Sequence, residues 1–372
     1  MQGLNEYDVA AAEYDVAVVG GGPAGSAAAL TLLRYSKLRP VVVERSSYDG
    51  WRVGETLSPG VFPLLTYLGA ESLLPGQGQR RAYATSAAWG SADVVSRDFL
   101  FTGGGDAWHL DRARFDASLA RLVSERGGTL LSGTVVEKVE PRWTLITSRG
   151  AISARFVIDA TGRHAAFART QGARAASDDH LTGLVGLFEG GDGAQTATLV
   201  EAVEDGWWYS AHLPENRTVV AFMTDADIVR AGRLHEEDAW LERLGGTRAT
   251  RPRTANARLA EGPIAAPAHS QILYPVTGDG WISAGDAAAG FDPLSSMGIG
   301  YAIASGIQAA RVAASSLSGA SEHARLFALD VRRHYDAYLA RRQAYYEIEQ
   351  RWPRSPFWAR RHGAGAVSYS AG

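Results

Sequence analysis

The sequence Tyr14-Asp-Val-Ala-Val-Val-Gly20-Gly21-Gly22-Pro23-Ala24-Gly25 restricts the fold of this chain more than any other stretch. The valine-rich run before Gly20 reads as a short buried strand. Gly20, Gly22 and Gly25 then give G-x-G-x-x-G, and Ser26-Ala-Ala-Ala-Leu-Thr-Leu-Leu reads as a helix leaving the turn. The first glycine permits a tight turn, and the second lets backbone come close to a pyrophosphate. The third lets helix and strand pack closely, while the free N–H groups of the helix start face the anion. A second apolar run, Pro40-Val-Val-Val-Glu44, ends in an acid 24 residues after Gly20, where a ribose hydroxyl needs an acceptor. Strand, glycine turn, helix, strand and acid, in that order, predict a dinucleotide-binding unit.

At 372 residues the chain has room for two domains or one large interleaved unit. A net charge of −3 with 21% charged residues gives no electrostatic footprint for nucleic acid. There is no cysteine, which removes disulfides, thiolate metal sites and thiol catalysis together. No apolar run reaches the length of a membrane span, and the first residues lack a signal-peptide layout, so the cytoplasm is the expected compartment. Of the 37 basic residues only Lys37 and Lys138 are lysine, which limits the chemistry open to the stretch between them.

Residues 1–13 read as a polar lead-in, with Tyr7-Asp-Val-Ala echoed at Tyr14 by chance. After Glu44 comes a polar loop through Arg45, Arg52, Gly54, Glu55 and Pro59, a plausible cofactor lid. Short strand-like pieces occupy 80–104. Asp111 then caps an amphipathic helix carrying Arg112, Phe115, Leu119 and Leu122. Arg155-Phe-Val-Ile-Asp159-Ala160-Thr161-Gly162 is a strand that delivers small and acidic residues to a ligand at its end. Residues 180–275, rich in strand formers and aromatics, read as a mostly antiparallel sheet broken by a helix at 235–245. Gly280-Trp-Ile-Ser-Ala-Gly285-Asp286 is a further strand, followed by an irregular loop and a small-residue helix from about 301. A long helix over 322–352 carries Phe327, Val331, Tyr335, Tyr338 and Tyr345 as a core stripe. The ending, with Trp352, Phe357 and Trp358 among arginines, either packs on the body or contacts a partner, and the last ten residues are expected to be loose.

Taken together, Gly20-x-Gly22-x-x-Gly25 with Glu44, Asp159-Ala-Thr-Gly162, and Gly285-Asp286 followed by Asp292-Pro293-Leu294-Ser295-Ser296-x-Gly298 resemble the FAD-dependent oxidoreductases built like para-hydroxybenzoate hydroxylase. Gly54-Glu55-x-x-x-Pro59 is similar to a loop of their tryptophan-halogenase-like branch, shared with geranylgeranyl-reductase-type flavoproteins. The resemblance, over roughly 13–350, implies an α/β fold. In it a Rossmann-like FAD domain (13–79, 105–180, 276–320) interleaves with a mostly antiparallel substrate domain (80–104, 181–275). A helical segment (321–362) and a loose tail (363–372) follow. It implies FAD on Gly20, Gly22, Ala24, Gly25, Glu44, Arg45, Arg52, Arg112, Asp159, Gly162, Gly285, Asp286, Pro293, Ser296, Gly298 and Ile299. Glu44 is expected on the ribose, Arg112 on the phosphates or ribityl chain, and Asp286 on a ribityl hydroxyl. The turn from Pro293 to Gly300 is expected beside the isoalloxazine.

The departures restrict the reaction. Halogenases of this branch use a lysine downstream of the Gly-Glu loop, and none lies between Lys37 and Lys138. Arginine is too strong a base to replace it. The ending Tyr345-Tyr346, Arg351-Trp352-Pro353 and Pro356-Phe357-Trp358 resembles flavoproteins that mature quinone cofactors of lysine and glycine oxidases. The expected activity is therefore an FAD monooxygenase acting on an aromatic, indole- or phenol-like group, free or carried by a partner protein or carrier. Rival readings are a halogenase (disfavoured), a flavin-dependent C=C reductase or dehydrogenase, and a maturation chaperone with mainly structural FAD. No second G-x-G-x-x-G provides an NAD(P)H domain. Electrons would come from NAD(P)H docking directly or from reduced flavin made by a separate reductase. Glu55, His109 and His212 are the candidate acids or bases, and Trp207, Trp208 and Tyr209 the candidate pocket wall. No spacing suits a metal, and neither nucleic acid nor membrane is expected as a partner.

Overall fold

The computed structural model describes residues 12–74, 76, 78–99, 105–191, 195–320 and 322–363. Most of the lead-in, the end of the 80–104 stretch and nearly all of the expected loose tail therefore lie outside the described residues.

The first strand, Ala12–Val19, is central because both its faces are covered. It pairs in parallel with Gly150–Asp159 on one side and Pro40–Glu44 on the other. Thr129–Ser132 and Trp281–Ser283 extend the sheet in parallel at either edge. Val16, Ala17, Val18, Val41 and Val42 are fully buried, as the continuous valine runs predict for a parallel sheet. The helices Pro23–Tyr35 and Gly298–Leu317 lie against one face, both rich in alanine where they meet. Their approach is limited by backbone: a Cβ on Gly306 would stand 2.2 Å from the Ala24 carbonyl oxygen. The α/β class and Rossmann-like core are as expected.

A second sheet has seven strands in the order 257–267, 181–190, 217–225, 206–213, 198–203, 84–88, 95–98. Its pairs are antiparallel except for Thr198–Val203 beside Ala84–Ala88. The helix Glu237–Gly245 covers one face and the C-terminal helices cover the other. A three-stranded sheet of Thr56–Leu57, Ala107–Leu110 and Gln79–Ala82 joins the two halves.

The helix Glu322–Ile348 buries Phe327, Val331, Tyr335 and Tyr338 as predicted, but not Tyr345, which is 48% exposed. Tyr346 is buried instead, because this end of the helix leaves the cluster that takes Phe327 to Tyr338 and packs on the one beneath the seven-stranded sheet, which turns a different face inward. Its hydroxyl donates to Asp292 Oδ2 at 2.7 Å and accepts from the Trp207 indole at 3.0 Å. The chain's ending packs on the body. Phe357 and Trp358 in the helix Pro356–His362 are fully buried, Trp358 donates to the Val203 carbonyl, and Arg361 pairs with buried Asp225 at 2.7 Å. Removing the Trp358 ring leaves a cavity between this helix and the seven-stranded sheet. Trp358→Ala should cost about 3–5 kcal/mol, read as an earlier midpoint in urea unfolding. A midpoint equal to that of the parent would show that the ending is not part of the core.

Candidate active site

The C-terminal ends of the parallel strands bring Gly20, Glu44, Asp159 and, just past Ser283, Asp286 to one edge of the sheet, beside the candidate cleft. At its first wall, a Cβ on Gly25 would lie 1.8 Å from the Gly20 oxygen, whereas one on Gly22 would meet nothing within 4 Å. Gly22 caps the helix Pro23–Tyr35 without any side-chain hydrogen bond, leaving first-turn N–H groups facing open space. Glu44 Oε2 accepts from Gly21 N at 2.7 Å, and Oε1 accepts from the backbone and hydroxyl of Ser46. Tyr48, which the sequence reading missed, closes this corner by donating to the Gly21 carbonyl at 2.9 Å.

From Glu44 a line of charge runs across the cleft. Arg52 lies 3.8 Å from Glu44 and 3.2 Å from Asp116, and Asp116 takes a two-point contact from Arg112 at 3.1 and 3.2 Å. Arg112 Nη1 also donates to the Val53 and Gly54 carbonyls at 3.0 and 2.9 Å. Most of its donors are thus spent on tying the Gly-Glu loop to the helix Arg112–Glu125. These contacts give Arg112 a loop-anchoring task beside the expected reach to the phosphates or ribityl chain.

Asp159 needs a correction. Its carboxylate is fully buried and accepts from Thr161 N, Thr161 Oγ1 and Ala168 N at 2.9, 2.6 and 2.7 Å. It shapes the Asp-Ala-Thr-Gly turn and is not available to a ligand. Asp286 is the opposite case. Its side chain is 35% exposed to the cleft, lies 3.5 Å from Arg163, and receives no hydrogen bond from the described residues. Crowding by protein raises its pKa while Arg163 and Arg112 oppose the rise. Arg163 is held by donating to the carbonyls of His269 and Phe291.

The helix Gly298–Leu317 also starts without a side-chain cap, and a Cβ on Gly298 would meet nothing within 4 Å. Pro293, Ser296 and Gly298 are exposed on this turn, while Ile299 is buried behind it. Arg45 is exposed. Of the nine buried polar side-chain atoms without a partner among the described residues, Trp51 Nε1 and Glu55 Oε1 belong to the Gly-Glu loop and Tyr301 Oη to the start of the helix Gly298–Leu317. Tyr301 and Glu55 both lie within electrostatic reach of the charges on the cleft floor, Asp286 and Arg112 respectively. Open helix starts, an unused carboxylate and orphaned polar atoms fit FAD, whose phosphates, ribityl hydroxyls and ring could engage them.

Glu55 is 3% exposed, and burial pushes its carboxyl up to about 7. It does not cap the turn at Pro59, which has no side-chain cap. Its neighbour Thr56 hydrogen-bonds the Tyr209 hydroxyl at 2.7 Å across to the seven-stranded sheet. Tyr209, Trp51, Val53 and Leu294 each pack against the same core cluster.

The other candidates are structural. His109 is fully buried, with Nδ1 on the His212 carbonyl and Nε2 on Thr198 Oγ1, both at 2.9 Å. Burial pushes it down to about 4, so it stays neutral. His212 is buried with Nδ1 at 2.8 Å from Thr218 Oγ1. Trp207 and Trp208 are both fully buried and face opposite ways, as neighbours on a strand must. Trp208 stacks on Phe222 at 4.7 Å, under the helix Glu237–Gly245, so it is core and not pocket wall. Trp207 is committed to Tyr346. Of the three proposed wall residues, only Tyr209 joins the loop that carries Glu55. Among the described residues no group of side chains could hold a metal ion, and no helix is long and apolar enough to cross a membrane.

Similarity to known proteins agrees with this geometry. The sequence profile of the FAD dependent oxidoreductase family matches residues 15–227. LodB of Marinomonas mediterranea is 32% identical over 375 residues, covering 96% of this chain and 99% of LodB. The myxobacterial chondrochloren halogenase CndH superposes with a TM-score of 0.86 at 24% identity, covering 94% of this chain and 86% of CndH. The peptidyl tryptophan dihydroxylase QhpG, essential for tryptophylquinone cofactor biogenesis, matches at TM-score 0.73 and 25% identity, covering 97% of this chain and 80% of QhpG.

Two variants test the cleft. Gly22→Ala should fold as the parent does but lose FAD affinity by about tenfold, or 1.4 kcal/mol, because its methyl occupies ligand space; unchanged affinity would move the phosphates elsewhere. For Glu55 the sign follows from a pKa above its ordinary value of 4.5. The folded, flavin-free state binds an extra proton, so the associated stability is full below 4.5 and is lost as pH rises through about 7. Glu55→Gln should therefore gain about 3 kcal/mol on the parent as denaturation is moved from acid to pH 8; parallel stability curves would show Glu55 to be an ordinary carboxylate.

Proposed function

The chain belongs to the FAD dependent oxidoreductase family, and from that premise we propose a monooxygenase that hydroxylates an aromatic, indole- or phenol-like group. The observation that carries this reading is Glu55, a sealed carboxyl poised near neutrality beside the Thr56–Tyr209 contact. A group with that pKa can give up a proton near pH 7 and recover it. At 3% exposure Glu55 is shut off from bulk water. Bound FAD would pass two electrons to dioxygen, so that one oxygen atom enters the ring and the other leaves as water.

The overall change consumes substrate, dioxygen, two electrons and two protons, and yields hydroxylated substrate and water. Glu55 would supply a proton where the leaving oxygen needs one. Thr56 and Tyr209 would fix the loop against the sheet wall and present a phenol to the substrate. The absence of lysine over 38–137 counts against a halogenase. The likeness to QhpG supports a protein-borne aromatic substrate. Electrons would reach the cleft from NAD(P)H directly or from reduced flavin made by a separate reductase. Burial of Phe357 and Trp358 counts against an ending whose main role is to grip a partner.

The test supplies chemically reduced FAD, ¹⁸O₂, bromide and a tryptophan-containing peptide, followed by mass spectrometry. One or more ¹⁸O atoms in the peptide is the expected result. Bromination would make the protein a halogenase, and equal turnover without oxygen would make it a reductase. Glu55→Gln should retain flavin and lower hydroxylation by about 10²–10⁴-fold, with peroxide released instead. Full activity in that variant would remove Glu55 from the chemistry.

A further inference from the structure

Away from the cleft, a cavity of about 490 Å³ opens on the outer side of the seven-stranded sheet, lined by residues that include Ser86, Gln195, Ala197 and Arg253. Arg253 is only 6% exposed. Its Nη1 donates to Gln195 Oε1 at 3.0 Å and its Nη2 to the Ala197 carbonyl at 2.8 Å, while Nε has no acceptor. Both partners are neutral. The other buried arginine, Arg361, is paired with Asp225. Glu201, a buried carboxylate on a neighbouring strand, accepts from the backbone of Arg248, Ala249 and Thr250 and from the Thr250 hydroxyl.

Among the described residues Arg253 has no counter-charge in contact, and a buried cation of that kind is costly to keep, by several kcal/mol in ordinary proteins. Burial pushes Arg253 down to about 10, and Arg80 adds like charge nearby. Nothing among these contacts rewards a guanidinium over a neutral side chain. We propose that this cavity is a carboxylate-binding site, with Arg253 as its charged anchor and Gln195 as its neutral partner. A planar guanidinium recognises a planar carboxylate by paired hydrogen bonds, and each of Nη1 and Nη2 keeps a second N–H beyond the one it gives to Gln195 or Ala197. The site is independent of the monooxygenase reading, since it is defined by binding alone. The Arg253 charge is felt at Tyr209 and His109, so an anion held there would also alter the field at the inner wall of the sheet.

The carboxylate could belong to a small aromatic acid or to an acidic side chain of a polypeptide, and the two are separated by probe. FAD-loaded protein is titrated calorimetrically at fixed ionic strength with indole-3-carboxylate and with a peptide bearing one aspartate. Saturable binding of either probe, weakened about tenfold or more in Arg253→Gln and less in Arg253→Lys, is the expected result. The probe that binds identifies the source. Should Arg253→Gln fail to fold, amide exchange of the parent protein decides. Slowing over 195–199 and 249–254 with the carboxylate, and not with equal chloride, supports the site. Binding of neither probe, equal binding by Arg253→Gln, or protection confined elsewhere would overturn it.

Discussion

A Cβ on Gly25 would stand 1.8 Å from the Gly20 oxygen, and one on Gly20 would stand 2.2 Å from the oxygen of Ala160. These backbone approaches fix where the helix Pro23–Tyr35 leaves the sheet, and much else depends on that exit. The same helix places Ala24 against Gly285 and Gly306, and so sets the helix Gly298–Leu317 and the Asp286 turn. Both open helix starts consequently face one cleft. Dispersion and burial hold the helices together, but the steric demand at four glycines sets their register.

Across that floor, ionic contacts do what packing cannot. Asp116 is shared by Arg52 and Arg112, which connects the Glu44 corner to the Gly-Glu loop through buried charge. Such a network adds little net stability, because desolvation offsets attraction. It does give direction: removing either arginine would leave Asp116 short of a partner and free the loop that carries Glu55. The function of this network is to position groups, and its residues are better read as a frame for the ligand than as a source of folding energy.

The parts of this architecture that a reader of the sequence could see are those written locally. Valine runs, the glycine turn, the terminal acid and the Asp111 cap all follow from neighbours within a few residues, and the FAD-type fold follows from their order. What stayed hidden depends on partners far apart in sequence. His109 is neutral and structural because Thr198 and the His212 carbonyl, 89 and 103 residues away, take both its nitrogens. Asp159 and Asp286 look alike as acids at strand ends, yet one is filled by the turn that follows it and the other is left open. Trp207 and Trp208 look alike in sequence, because alternation along a strand is legible while the choice of face is set by what covers the sheet. Arg253 sits in a stretch with three arginines close together, and nothing local marks the one that is buried.

The two carboxyls at the cleft differ in how their surroundings divide the cost of charge, and that difference assigns their roles. Asp286 is reached by solvent and has Arg163 at 3.5 Å, so its charge has both a counter-ion and a path for screening. Glu55 is sealed, and the cation that acts on it, Arg112, is engaged by Asp116 and two carbonyls. A guanidinium already shared in this way attracts a further carboxylate only weakly against the desolvation of burial. Burial raises the pKa of both, but Asp286 is the carboxyl with a cation aimed at it and an open face toward a ligand, and Glu55 the one whose desolvation goes largely uncompensated. Neither role follows from the residue type, since the chain could have exchanged aspartate for glutamate at both. Both follow from which arginine has a donor left to give.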